Sequence, residues 1–139
     1  MSKTFILGHI QPDTDSVVSA LGLEYLYKQT DRYEYQNPQA VLAGPINGET
    51  QYLFERFNVT PPSQITAQDI GPEDLVVLVD HNEASQRLPG LDEVKIVDII
   101  DHLKNDHDQA AQLRMASKSL CVVDAADRIM NVIKKVIKQ

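Results

Sequence analysis

Leu75-Val76-Val77-Leu78-Val79-Asp80-His81-Asn82-Glu83 decides the reading of this chain. Its first five residues are continuously apolar and mostly β-branched. That pattern predicts a parallel strand covered on both faces, because such a strand has no solvent side with which to alternate. A carboxylate and an imidazole follow at once. A charge at the end of a buried strand is costly unless it is paired or bound to a cation. Two other stretches repeat the layout. Thr4 to Gly8 runs into His9-Ile10-Gln11-Pro12-Asp13-Thr14-Asp15-Ser16, and Val94 to Ile100 runs into Asp101-His102. Open α/β sheets assemble their sites where strands stop and loops begin.

Working outward, strand and helix patterns alternate. From Thr14, residues Val17, Val18, Leu21, Leu23, Leu26 and Tyr27 recur at helical spacing, so a helix begins directly after the first motif. Ala40 to Ala43 reads as a strand ended by Gly44-Pro45. Asn47-Gly48-Glu49-Thr50 opens a helix with Tyr52, Leu53, Phe54 and Phe57 on its apolar side, and Pro61-Pro62-Ser63 breaks it. Beyond residue 103 a helix over Asp106 to Ser117, a strand at Leu120-Cys121-Val122-Val123 and a helix over Ala125 to Lys138 are expected. The alternation predicts an α/β fold, a mostly parallel sheet with helices on both faces, in a single domain spanning residues 1–139.

Composition narrows the function classes. A chain of 139 residues can bury a sizeable core. A formal charge of −7 argues against a nucleic-acid partner. Lys134, Lys135 and Lys138 cluster at the end, where a helix dipole alone favours lysine. The single cysteine, Cys121, excludes an intrachain disulfide and fits a reducing compartment. The chain passes from Met-Ser-Lys straight into a strand without a signal-peptide pattern. No apolar run approaches the roughly 20 residues that span a bilayer, so a soluble, cytoplasmic protein without a membrane partner is expected.

Carboxylates mixed with imidazoles suit divalent manganese, magnesium, iron or zinc. Asp13 or Asp15 can also be read as a helix cap. Capping explains one aspartate, and Thr14 or Ser16 could serve without charge, so two acids with His9 exceed what a cap requires. Asp80 reads as a metal ligand. If strand geometry continues past Val79, His81 points to the opposite side and is a supporting group, and Asp98 shares that ambiguity. Asp124 is either a helix cap or a ligand.

The motifs Gly8 to Ser16, Gly44 to Tyr52, Val79 to Glu83 and Ile99 to His102 resemble the N-terminal domain of the manganese-dependent (family II) inorganic pyrophosphatases, of the DHH phosphoesterase superfamily. The likeness covers about residues 3 to 102, and from Leu103 onward the chain departs from the pattern. It implies a Rossmann-like DHH domain that hydrolyses pyrophosphate, or another small phosphate compound, at a two-manganese centre, with magnesium entering alongside the substrate. His9, Asp13 and Asp80 match the ligands of one ion. Asp15, Asp80 and His102 match those of the second, with Asp80 shared and Asp124 a further candidate. The resemblance makes Asp13, Asp15, Asp80 and His81 the residues expected to carry the chemistry. It also leads to the expectation that the family's C-terminal, substrate-gripping domain is absent, that Leu103 replaces a substrate-contacting histidine, and that a homodimer is a candidate assembly.

Overall fold

The computed structural model describes residues 2–30 and 34–101. Five strands form one sheet: β1 (Thr4–Leu7), β2 (Pro38–Leu42), β3 (Ser63–Gln64), β4 (Leu75–Val79) and β5 (Ile96–Ile100). Their spatial order is β3-β2-β1-β4-β5 and every pairing is parallel. Two helices, α1 (Thr14–Gln29) and α2 (Gly48–Arg56), make the first two crossovers. β3 and β5 are the edges, and of the three inner strands β1 and β4 are almost wholly buried, as continuous apolar runs require.

The order of strands locates the functional end. From β1 the chain steps outward to β2 and β3, then returns to place β4 on the other side of β1. The loops after β1 and β4 therefore diverge to opposite sides and leave a crevice at their carboxyl ends, the usual ligand position in open α/β sheets.

Side-chain alternation divides the core. Ile6, Val77, Val79 and Ala40 face α1 through Ala20, Leu23, Leu26 and Tyr27. Phe5, Leu7, Val41, Val76 and Leu78 face the other way and are covered by Leu88 and Leu91. α2 brings Phe54 against Leu42 and Val17. Leu42 shares the side of Ala40, so α1 and α2 lie on one face. Among the described residues the opposite face is covered by the β4–β5 connection, which contains short 3-10 turns at Ala84–Gln86 and Leu91–Glu93.

Local chemistry explains the helix starts. Asp13 adopts an extended backbone (φ −95°, ψ 179°), and its Oδ1 accepts from the Ser16 amide at 2.9 Å. Asn47 caps α2 in the same way, accepting from Thr50 N at 2.8 Å. Such caps satisfy backbone donors that have no partner in the first turn. The two helix starts are tied together by a 2.8 Å hydrogen bond between the hydroxyls of Thr14 and Thr50. Gly8 permits this packing: a Cβ there would lie 1.7 Å from Ser16 Oγ. The helix, strand and helix expected beyond residue 103, with His102, Leu103, Asp124 and the closing lysines, lie outside the described residues.

Candidate metal centre

Two loops build the site. The β1–α1 loop carries His9 and Asp13, and the first residue after β4 is Asp80. His9, Asp13 and Asp80 each offer one ligand atom, and these atoms lie within 4.8 Å of one another. His9 Nε2 is 3.7 Å from Asp13 Oδ1 and 3.5 Å from Asp80 Oδ2. The other ring nitrogen, Nδ1, lies 2.8 Å from the Ile10 carbonyl oxygen. A carbonyl only accepts, so Nδ1 carries a proton, and Nε2 is the ring nitrogen that faces the carboxylates and is open to a cation in the neutral ring. An imidazole nitrogen with two carboxylate oxygens suits a hard or borderline divalent cation. The pre-set tautomer is the one a metal ligand needs. These residues fit the ion that the sequence pattern implies.

Asp80 is turned into the site by its backbone. Its φ is +59°, in the left-handed region that aspartate enters more readily than most residues. Its amide still donates to the Ile100 carbonyl at 2.9 Å, so the pairing with β5 continues one residue beyond β4. Its side chain is 10 % exposed. Burial holds the Asp80 carboxyl above the ordinary carboxylate range, and the negative charges of Asp15, Asp13 and Asp101 push the same way against His9. A bound cation would reverse that balance.

The left-handed turn corrects one expectation. Strand alternation does not continue to His81, so His81 is not carried to the opposite side. It folds inward, 1 % exposed, with its ring edge-on to that of His9 at 6.2 Å between centroids. Its Nδ1 donates to the Val79 carbonyl at 2.8 Å. Burial depresses its pKa and keeps it neutral. Gln11, at φ +57°, is a second left-handed residue beside the site. It precedes Pro12, whose ring restricts that position.

Asp15 is exposed in the first turn of α1, close enough for its charge to act on Asp80. Asp101 also acts on Asp80, and His102 and Asp124 lie outside the described residues. Asp98 stands apart: its Oδ1 accepts from Ile99 N at 2.9 Å, and Tyr35 Oη lies 3.4 Å from its Oδ2. Two supports escaped the sequence reading. Thr50, fully buried, holds the start of α1 through Thr14. The Gln86 carbonyl accepts from Ile10 N at 2.8 Å and joins the two ligand loops. Neither contact has a local sequence signal. No helix of the described residues is long and apolar enough to cross a membrane.

Curated relatives match over most of the chain. A protein of Exiguobacterium, described as a probable manganese-dependent inorganic pyrophosphatase, is 40 % identical over 102 residues, covering 73 % of this chain and 31 % of its own length. One of Bacillus licheniformis with the same description is 39 % identical over 102 residues, with the same coverage. The chain thus spans less than a third of the length of these relatives. Among solved structures, a Methanococcus jannaschii protein described as a candidate family II inorganic pyrophosphatase superimposes with a TM-score of 0.60 at 35 % identity. That match covers 73 % of this chain and 29 % of the other. The model of the DHH family, N-terminal domain, matches from residue 3 to residue 135, past the stretch in which the motifs are legible and across the whole candidate centre, and the chain belongs to that family.

Proposed function

We propose that this chain carries the metal-binding part of a manganese-dependent inorganic pyrophosphatase centre, acting on pyrophosphate or a closely related small phosphate compound. One observation carries the reading. At the crevice between β1 and β4, His9, with Nδ1 held by the Ile10 carbonyl, turns Nε2 to the carboxylates of Asp13 and Asp80, in a chain whose relatives are described as such enzymes. His9, Asp13 and Asp80 would hold one manganese ion. Asp15, Asp80 and His102 would hold a second, with Asp124 a further candidate donor and magnesium entering with the substrate. Divalent ions supply charge neutralisation at phosphoryl oxygens and bring the pKa of water toward neutrality.

The chain's own residues do the rest. The Ile10 carbonyl keeps the His9 proton on Nδ1, leaving Nε2 for the ion. The Ser16 amide fixes Asp13, and the left-handed backbone of Asp80 aims the shared carboxylate. His81, packed behind His9, orients that ring. The net charge of −7 disfavours nucleic-acid substrates and suits a centre that approaches anions only through its cations. A cytoplasmic, reducing setting is proposed from the single cysteine.

A second reading, a metal-binding domain without turnover, is favoured by Leu103, which stands where the family pattern has a second histidine. Two measurements separate them: manganese binding by calorimetry, and phosphate release from pyrophosphate with manganese and magnesium against a chelator control. Binding with chelator-sensitive release supports the enzyme. Binding without release supports the second reading, and absence of binding refutes both.

A further inference from the structure

The loop that follows Asp80 is fastened by a residue outside every motif. Residues Ala84–Gln86 form a 3-10 turn in which the Gln86 amide donates to the Glu83 carbonyl at 3.0 Å and the Arg87 amide to that of Ala84 at 3.3 Å. Arg87 then folds back over its own loop, and its Nη2 donates to the Asn82 carbonyl at 3.0 Å. Leu88, the next residue, is buried in the core beneath the sheet. The same loop receives the Ile10 amide at the Gln86 carbonyl, 2.8 Å away, and so touches the loop that carries His9. The guanidinium also lies near enough for its charge to help keep His81 neutral. Among the described residues, Arg87 Nε and His81 Nε2 are the loop's two buried nitrogens without a hydrogen-bond partner, one a donor and the other a lone-pair acceptor.

We propose that Arg87 is a positioning residue of the metal centre: by closing the Asn82–Arg87 loop it sets the backbone of Asp80 and His81 against the His9 loop in the spacing a divalent ion requires. The proposal rests on the metal-centre reading above. Arg87 holds no ion itself. It acts through main-chain carbonyls at Asn82 and, one residue before it, Gln86. A planar guanidinium holds its N–H groups in a rigid fork, so that Nη2 engages the Asn82 carbonyl while the direction of the buried Nε–H is fixed, a geometry that a freely rotating ammonium does not impose.

The test measures two quantities on the 139-residue chain: manganese affinity by calorimetry, and the urea midpoint of the metal-free protein. Arg87→Met should weaken manganese binding roughly 10–100-fold, the usual effect of removing a residue that orients metal ligands, with little change in the metal-free midpoint. Arg87→Lys should recover part of the affinity, because its ammonium can still reach the Asn82 carbonyl. Arg87→Gln serves if the methionine variant fails to fold. Affinity within about twofold of wild type in folded Arg87→Met or Arg87→Gln would overturn the proposal. So would parallel losses of affinity and metal-free stability, the mark of a purely structural residue. Manganese that fails to bind the wild-type chain would instead refute the metal centre, and this proposal with it.

Discussion

Asp80→Asn separates what the Asp80 carboxylate does for the metal from what it does to the fold. The substitution keeps side-chain shape and suits the backbone, because asparagine also tolerates the left-handed region that Asp80 occupies at φ +59°. It removes one of two carboxylates whose ligand atoms lie within 4.8 Å, a repulsion of about 1 to 3 kcal/mol for an effective dielectric between 80 and 20. Asp13 is half-exposed, which favours the lower end, about 1 kcal/mol. In a domain of this size that corresponds to a rise in Tm of roughly 3 °C in the metal-free protein. The sign with pH follows from the raised pKa of Asp80. The folded state disfavours the ionised form, so the penalty is present at neutral pH and is lifted as pH falls through the raised value. The advantage of Asp80→Asn over wild type should therefore shrink on acidification. Saturating manganese should reverse the order, stabilising wild type and leaving the variant nearly unchanged. Thermal unfolding with chelator and with manganese, from neutral to mildly acidic pH, reads all three effects. A metal-free variant no more stable than wild type, or one that keeps wild-type manganese affinity, would refute the reasoning.

Other substitutions probe the frame. Gly8→Ala should cost about 1–3 kcal/mol in urea unfolding, because the new Cβ would lie 1.7 Å from Ser16 Oγ and, once that hydroxyl has rotated away, still 3.0 Å from Ser16 Cβ. Gly22→Ala, within α1 where an added Cβ meets nothing within 4 Å, should instead stabilise by about 0.5–1 kcal/mol. Equal effects at the two glycines would contradict the packing of α1 on β1. Thr50→Val breaks the hydroxyl bond to Thr14 and should cost about 1 kcal/mol, read as a lower urea midpoint. His81 has a depressed pKa, so its neutral form is favoured in the fold. Its contribution is complete above the ordinary histidine range and is lost as pH falls through about 6.5. Urea midpoints at pH 7.5 and 5.5 should converge in His81→Gln relative to wild type, and an unchanged difference would count against burial as the cause.

Where fold and site were legible, the reason was local. Leu75 to Val79 has no polar position, which only a strand covered on both sides tolerates, and the Asp13 cap lies within three residues of the amide it serves. What was hidden depended on distant chain. The direction of His81 turns on the backbone sign at Asp80, whose amide is held by Ile100, and nothing near Val79 announces that. Pro61-Pro62-Ser63 read as a break, yet Ser63–Gln64 adds an edge strand by pairing with Val41 and Leu42. Leu88, in the link between two short 3-10 turns, and Leu91, which opens the second, cover a sheet face from segments too brief to show a period. The pairing of Thr14 with Thr50 needs two crossovers to exist before the hydroxyls meet.

The crevice between β1 and β4 has a consequence for how the chain comes apart. An ion held by Asp13 and Asp80 would be a reversible cross-link between segments far apart in sequence, with three strands and both helices looped between them. On the chain-entropy scale used for disulfides, closing a loop of that length removes roughly 4 kcal/mol of freedom from the unfolded chain. Unfolding then becomes coupled to ion release, and the loaded form should outlast the bare one under protease. Cys121, the one cysteine, cannot form such a tie with another thiol of its own chain, so these carboxylates and their imidazole would take that role.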